Sequence, residues 1–557
     1  MSAEGDRRAG PELSVVIPTY NRSQLLSRCL ESLDRQTAAP EEYEVVVVVD
    51  GSTDATAELL AAIEPRYTLT IVEIPKSGGS AGRNAGAARA AGRVLLFLDD
   101  DEEADPGLIS AHLDLHRTRE GVLGCGAVAR RVPDRADRYA QLVAQEGNER
   151  LAELASRPLT YWDCCGGNMS LERSAFERSG GFATDLTNED DAEFTYRLSE
   201  LGLEIVFVAG ARVSELRTRG WRGILADTEA RGRTAIELYR RHPPMIAGMP
   251  LGRYGELPRT RIGSVIFTLA LRLRLPPALL GLIGFALPRQ GWTRVWFFSI
   301  VLSQAYWRGV RAAAGRDLWR RIRSGTVILA YHAFCASGEP ASRYIIPGRR
   351  FRRQLGWLRL RGYNVIGLGE YVECLASFRL PPPKTVVITM DDGYLDNVTV
   401  AGPILDRLGF TATVFVVSAR AEQDRDRSDP ALLDRRVIDP DSIAGLLDGP
   451  FEVGAHTRTH PDLTSLSTAA AQAEIEGSKH DLERAAGTTV QAFAYPFGAT
   501  NPEVRRLVAQ AGFLAARGIR PGRNRAATDP FDLRRVEVPG TNSLASFALT
   551  LLLGDLR

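Results

Sequence analysis

The sequence predicts an α/β protein made of two separate units, and three observations carry that prediction. Short β-branched runs alternate with helical patterns in two series. The two series differ in character and share no internal repeat. At 557 residues, 44% apolar and 25% charged, the chain exceeds one typical domain while supplying ordinary hydrophobic cores. The normal apolar share and the six cysteines disfavour a disordered chain, a collagen-like repeat and a small disulfide scaffold.

In the first series, residues 13–17, 43–49, 68–74 and 93–98 read as strands. Helical patterns at 23–35 and 54–63 separate the first three, and a small-residue stretch at 81–91 separates the last two, which implies a parallel sheet. In the second series the strands are 326–330, 385–389, 412–417, 452–454 and 492–495, with helices such as 469–485 between them. Residues 380–384 form a proline-rich connector, and the charged stretch 419–441 reads as a loop or lid. The expected domains are 1–250, a helical connector at 251–324, and 325–557.

The connector is very basic. Between Arg253 and Arg323 there are 13 arginines against Glu256 and Asp317, a local +11 inside a chain of net charge +1. It also holds Trp292, Trp296, Trp307 and Trp319, four of the seven tryptophans. Its apolar runs fall short of the roughly 18 residues that a spanning helix needs. Two readings stay open: a membrane-interfacial segment, with cations on anionic headgroups and indoles at the boundary, or a packed helical extension with solvated arginines. The polar N-terminus shows no secretion signal. The cysteines show no CxxC spacing, and the adjacent Cys164 and Cys165 are poorly placed for an intradomain bridge, so a reducing cytoplasm is expected. The expected location is cytoplasmic, with peripheral contact at the inner face of the membrane as the connector's first reading. No nucleic-acid partner is expected.

After strand 94–98 come Asp99, Asp100 and Asp101, then Glu102 and Glu103. Carboxylates at a strand end suit a hard divalent cation and its phosphate partners, although acidic runs are also common as solvated loops. Four segments then appear in order: SVVIPTYNR (14–22), VVVVVDGSTDAT (45–56), GGSAGRNAGAARAAG (78–92) and LFLDDDEEADP (96–106). Together they resemble the inverting glycosyltransferases of family 2, over roughly residues 13–240. The resemblance implies a GT-A nucleotide-sugar-binding fold and a nucleotide diphosphosugar as partner. Pro18, Tyr20, Asp50, Arg83 and Asp99 would line the donor pocket. Asp99 and Asp101 would be the ends of a DxD motif holding Mg²⁺ or Mn²⁺ on the diphosphate.

Inversion also needs a carboxylate base on the face of the sugar opposite the leaving group. NEDDAEFTYRL (188–198) offers Glu189, Asp190 and Asp191. Aligning Glu193 and Arg197 with the family pattern makes Asp191 the expected base, with Glu189 and Asp190 as alternatives. A charged helix start is the plainer account of one such acid. CCGGNMSLERSAFERSGGF (164–182) resembles the acceptor-side strand and turn of the same family.

Strand 385–389 ends in Met390, Asp391, Asp392 and Gly393, and HTRTH places His456 and His460 four residues apart. On a helix that spacing puts both imidazoles on one face. Two histidines and a carboxylate leave an open coordination position, as in catalytic zinc sites. The trio MDDG, HTRTH and AYPFG (494–498) resembles the polysaccharide deacetylases of carbohydrate esterase family 4, over roughly 325–540. This implies a distorted (β/α) barrel that removes N-acetyl groups from amino sugars. Asp392, His456 and His460 would hold Zn²⁺ or a similar divalent cation, and Asp391 would be the general base. Two departures stand out: the family often has Arg where Ala494 stands, and no histidine follows His480 to serve as general acid. His332, after the first strand of this unit, is the candidate acid; a hydrogen-bonded structural histidine is the alternative.

The combined expectation is sequential chemistry. The first domain transfers an N-acetylhexosamine, with UDP-GlcNAc as the expected donor, to a carbohydrate or lipid-linked acceptor; the second exposes its amine. In the alternative, the second domain is a catalytically inactive binding or scaffold module.

Overall fold

The computed structural model describes residues 10–132, 138–216, 220–254, 292–336, 342–419, 432, 435–439 and 442–552. Most of the expected basic connector (255–291) and most of the expected charged lid (420–431, 433–434 and 440–441) lie outside the described residues, as do the side chains of Trp292 and Trp296. The described residues fall into two compact units, within Met1–Leu238 plus Arg274–Ala313 and within Tyr239–Leu273 plus Ala314–Arg557.

The first unit is built on eight strands: β1 (Leu13–Thr19), β2 (Tyr43–Asp50), β3 (Thr68–Ile74), β4 (Val94–Leu98), β5 (Glu102–Ala104), β6 (Val122–Arg131), β7 (Asn168–Glu172) and β8 (Glu204–Leu216). Their order is β3-β2-β1-β4-β7-β6-β8-β5. The first four are parallel, as the alternation predicts, and β7 enters antiparallel to both β4 and β6. Successive side chains point to opposite faces: Val15, Ile17, Val45, Val47 and Leu96 pack into one core layer, and Val16, Val46, Val48, Leu95 and Phe97 into the other. Covering both faces is why these strands read as continuous apolar runs.

The small-residue stretch is the helix Gly79–Arg89. Its glycines let it lie on the sheet: a Cβ on Gly86 would sit 2.4 Å from Val16 Cγ1. The helix Trp221–Arg241 meets the first part of the helix Trp292–Ser324 by the same device, since a Cβ on Gly232 would sit 2.0 Å from the Tyr306 carbonyl oxygen. This described part of the connector therefore packs closely, with Trp307 only 6% exposed.

The cysteine reading needs correction. Cys164 is disulfide-bonded to Cys125 on β6, with Cα atoms 5.7 Å apart. Sequence spacing hid this pair because the sheet, not the local chain, brings the two together: Cys125 lies opposite Met169 on β7, and Cys164 sits in the loop just before β7.

The second unit contains β9 (Val327–Tyr331), β10 (Ala333–Cys335), β11 (Ile345–Pro347), β12 (Asn364–Ile366), β13 (Thr385–Met390), β14 (Ala412–Val416), β15 (Phe451–Ala455), β16 (Ala492–Ala494), β17 (Ala515–Pro521) and β18 (Leu533–Glu537). Strands β13 to β18 pair in succession, β18 pairs with β9, and β9 returns to β13, closing a barrel of parallel strands. The barrel is distorted because one edge of β13 is shared: β12 takes residues 385–387 and β14 takes 389–390. Ile328, Val387, Phe415, Ala494, Ala515 and Leu533 form the inner row, while Val327, Val386, Ile388 and Val414 belong to the outer layer. Among the described residues, no helix is long and apolar enough to cross a membrane.

Candidate active sites

In the first unit, the carboxyl ends of β1, β2 and β4 open onto one cavity of about 770 Å³. Pro18, Tyr20, Asp50, Arg83, Asp99 and Asp101 all line it, from four separate stretches of sequence. Asp50 is buried and accepts from Lys76 Nζ (2.7 Å), Ser77 N (2.5 Å) and Gly78 N (2.9 Å). The Lys76 ammonium also lies 3.4 Å from the centre of the Tyr20 ring. Arg83 Nη2 donates to Asp99 Oδ1 at 2.6 Å, and its Nη1 reaches Asp190 Oδ2 at 3.4 Å. Arg22 Nη1 bridges Asp100 Oδ1 (2.8 Å) and Asp101 Oδ2 (3.2 Å), while Thr19 donates to the other oxygen of Asp100 at 2.8 Å.

The three acids at the start of the helix Asp190–Glu200 differ in their partners. Glu189 pairs with Arg231 at 3.0 Å, and Asp190 accepts from Ser80 at 2.6 Å as well as from Arg83. Asp191 Oδ2 accepts the Gly166 N–H at 3.2 Å. Asp191 does not line the cavity itself; it stands beside Arg83, with Gly166 packed between them. Glu193 and Arg197, whose spacing set the register, form a two-pronged ion pair at 2.8 and 2.9 Å.

In the second unit, β13 ends just before Asp391 and Asp392, and β15 ends just before His456. His456 Nε2 lies 3.4 Å and His460 Nε2 3.5 Å from Asp392 Oδ1, and the two nitrogens are 3.2 Å apart. Among the described residues, these three form the only group of His, Cys, Asp or Glu whose candidate ligand atoms all lie within 4.8 Å of one another. HTRTH is not helical: residues 456–460 form a loop with Thr457 and His460 at φ 63° and 66°. A helix would also place the imidazoles on one face, but here the turn is closed by the His460 N–H donating to Thr457 Oγ1 at 2.9 Å. His456 Nδ1 lies 2.7 Å from the Ala494 carbonyl oxygen, an obligate acceptor, so Nδ1 carries a proton and Nε2 is the atom turned towards Asp392. Strained backbone clusters here, with Asp392 at φ 67° and Phe497 at φ 56°.

The profile of Glycosyl transferase family 2 matches residues 14–180, and that of Polysaccharide deacetylase matches residues 379–516. The chain joins a family 2 glycosyltransferase domain to a polysaccharide deacetylase domain. Both are enzyme families. The validoxylamine A glucosyltransferase of Streptomyces hygroscopicus subsp. limoneus is 35% identical over 224 residues, which are 35% of this chain and 49% of that protein. The poly(ribitol-phosphate) beta-N-acetylglucosaminyltransferase TarS of Staphylococcus aureus (strain Mu50 / ATCC 700699) is 34% identical over 93 residues, 16% of each chain. The solved Streptococcus pyogenes deacetylase PplD in complex with acetate aligns at 24% identity with a TM-score of 0.36, covering 41% of this chain and 98% of that one. The chain spans about half the length of the first curated transferases it matches.

In the transferase domain, burial pushes the Asp191 carboxyl up to about 6, helped by repulsion from Glu189 and Asp190. Asp101 is also pushed up to about 6, by burial and then by Asp99, against the pull of Arg22. Burial raises Asp50 too, but the bonds from Lys76, Ser77 and Gly78 outweigh it and hold the carboxyl below its usual range. Asp99 and Asp101 offer only oxygen donors, facing the arginines, which fits a hard cation shared with phosphate oxygens.

In the deacetylase domain the donor set of two imidazole nitrogens and one carboxylate fits zinc or a similar cation with an open position. Burial would raise Asp392, but the His456 contact and the nearby His332 and His460 hold its carboxyl well below the usual range. His332 Nε2 is 3.8 Å from Asp391 Oδ2, and burial pulls this imidazole down to about 4. Sequence reasoning missed two residues: Arg535 Nη1 donates to Asp391 Oδ2 at 2.7 Å, and Arg517 contacts Asp391 Oδ1. The available signal was a charged residue at an inner-row position of each strand, two residues after Ala515 and Leu533.

Proposed function

We propose that this chain is a bifunctional enzyme: an inverting glycosyltransferase that uses a nucleotide diphosphosugar, and a metal-dependent N-deacetylase acting on the transferred amino sugar. The observation that carries the proposal is the convergence of Asp392, His456 and His460 beside Asp391, on the same chain as a cavity lined by Asp50, Arg83, Asp99 and Asp101. An intact ligand trio argues against a deacetylase-like domain kept only as a binding module.

In the transferase, Tyr20 and Asp50 would bind the nucleoside, and Arg83 would face the diphosphate. Asp99 and Asp101 would hold Mg²⁺ or Mn²⁺, which offsets the charge that builds on the departing diphosphate. Asp191 would take the proton of the acceptor hydroxyl. Its elevated carboxyl suits a base that works near neutral pH.

In the deacetylase, Asp392, His456 and His460 would hold Zn²⁺ or a similar cation, whose Lewis acidity stabilises negative charge on the attacked acetamide oxygen. Asp391 would take a proton from the attacking water. His332, 3.8 Å from Asp391, would return a proton to the departing amine, and its neutral imidazole would need to gain that proton during the reaction.

The expected donor is UDP-GlcNAc. A relative named as a beta-N-acetylglucosaminyltransferase supports an N-acetylhexosamine, whereas the validoxylamine A relative is named as a glucosyltransferase. Nucleotide sugars place the reaction in the cytoplasm, and a lipid-linked acceptor would bring the enzyme to the inner face of the membrane. The test uses the purified full chain with separate nucleotide sugars, a divalent cation and a lipid extract, following nucleoside diphosphate and acetate by mass. Acetate released only after transfer supports the sequence; acetate released from donor alone overturns the order, and no acetate from any product overturns the deacetylase half.

A further inference from the structure

We propose that Arg517 and Arg535 are positioning residues that aim Asp391, and that Arg517 supplies from β17 the guanidinium missing from position 494 on β16. The proposal rests on the deacetylase reading above and deepens it.

Strands β16 and β17 are parallel, and their register sets Ala494 directly beside Arg517. Both belong to the inner row of the barrel, with Ala492 and Ala515 two residues before them on their strands. Ala494 is 1% exposed and Arg517 2% exposed, so a small buried side chain stands beside a long buried one. Arg517 extends to Asp391 Oδ1, and its guanidinium carbon lies 4.8 Å from the centre of the Phe415 ring on β14. Its Nε and Nη2 are buried, as is Asp391 Oδ1, and the guanidinium and this carboxylate form an ion pair through Nη2 and Oδ1.

Arg535, on the inner row of β18, takes the other oxygen of Asp391 at 2.7 Å. The Asp391 backbone N–H donates to the Tyr331 carbonyl at 2.9 Å. The carboxylate is therefore hydrogen-bonded to one guanidinium at Oδ2 and ion-paired with another at Oδ1, and its main chain is tied to Tyr331. One arginine would neutralise its charge; two, approaching from different strands, fix its plane as well. Burying two guanidinium groups is costly unless geometry repays it, and a planar fork orients a carboxylate in a way an ammonium does not. In this chain the guanidinium comes from β17, one strand along from position 494, where a small side chain stands beside it.

The test uses the full-length chain loaded with zinc, measuring acetate release, zinc per chain and nucleoside diphosphate release. Arg517→Ala is expected to lower kcat for deacetylation by about 100-fold, with KM and zinc content nearly unchanged, because misplacing a reacting group by about 1 Å costs that much. Millimolar guanidinium added to Arg517→Ala should restore part of kcat by filling the vacated volume. The double variant Ala494→Arg/Arg517→Ala should restore part of it too, while Ala494→Arg alone should lose activity by crowding two guanidinium groups into one place. Wild-type kcat in Arg517→Ala overturns the proposal, as does failure of both guanidinium and the double variant to restore activity while zinc stays bound. If Arg517→Ala loses zinc, the double variant decides: recovered acetate release supports the clamp, and zinc-loaded but inactive protein overturns it. A wild-type chain that binds zinc yet releases no acetate from any transferred product overturns the deacetylase reading itself, a separate outcome.

Discussion

The backbone N–H of Gly166 donates to Oδ2 of Asp191 across 3.2 Å, so the turn that follows the Cys125–Cys164 disulfide also orients the acid at the start of the helix Asp190–Glu200. Its neighbours Glu189 and Asp190 are each committed to arginines. Asp191 is the one whose carboxyl is pushed up to about 6.

That difference gives a pH prediction. A base must be ionised to accept a proton, so sugar transfer should fall as pH drops through about 6 and level off above it, where the raised Asp191 carboxyl has lost its proton. Asp191→Asn should lower transfer by about 10² to 10⁴-fold, and Glu189→Gln much less. Nucleoside diphosphate release against pH for the three proteins checks this; an unchanged rate in Asp191→Asn would assign the base elsewhere.

Asp392→Ala removes the only carboxylate of the ligand trio. Metal content of the deacetylase domain should drop and acetate release should disappear, while nucleoside diphosphate release continues at the wild-type rate. Elemental analysis beside both product assays reads this directly, and transferase loss in the variant would contradict two independent sites.

The cysteine pairing predicts a count. Under denaturing conditions four thiols should react with an alkylating reagent before reduction and six after it, from the bonded pair and the four free cysteines. Cys125→Ser should destabilise the transferase unit by about 2–4 kcal/mol. Six thiols labelled without reductant would mean the pair is open.

His112 and His116 lie buried behind β7, sharing the Ser170 hydroxyl at 2.8 Å each, with His112 also 2.9 Å from Asn168 Oδ1. Burial pulls both imidazoles down to about 4. The folded state therefore binds fewer protons than the unfolded chain, whose histidines titrate near 6.5. Stability should be complete above about 6.5 and fall progressively towards pH 4, by on the order of 3 kcal/mol per histidine. Urea midpoints of the transferase-unit transition across this range test it, and His116→Gln should flatten the dependence.

The order of secondary structure, the carboxylates at the ends of β4 and β13 and both histidines of HTRTH were legible in the sequence, because strand periodicity and strand-end placement are local properties of the chain. Segments distant in sequence were harder to join. Cys125 finds Cys164 only once β6 and β7 pair, and HTRTH brings its imidazoles together through a left-handed turn rather than a helix. The sequence could not show that Glu189 and Asp190 meet arginines while Asp191 accepts the Gly166 N–H. Ala494 stands where the family often has arginine; strand register sets it beside Arg517, whose guanidinium reaches Asp391, and a charge can be delivered to one point in space from more than one strand. Residue order encodes which chemistry is available, but distances across strands decide which groups meet, since those distances are set by register and closure rather than by neighbours along the chain.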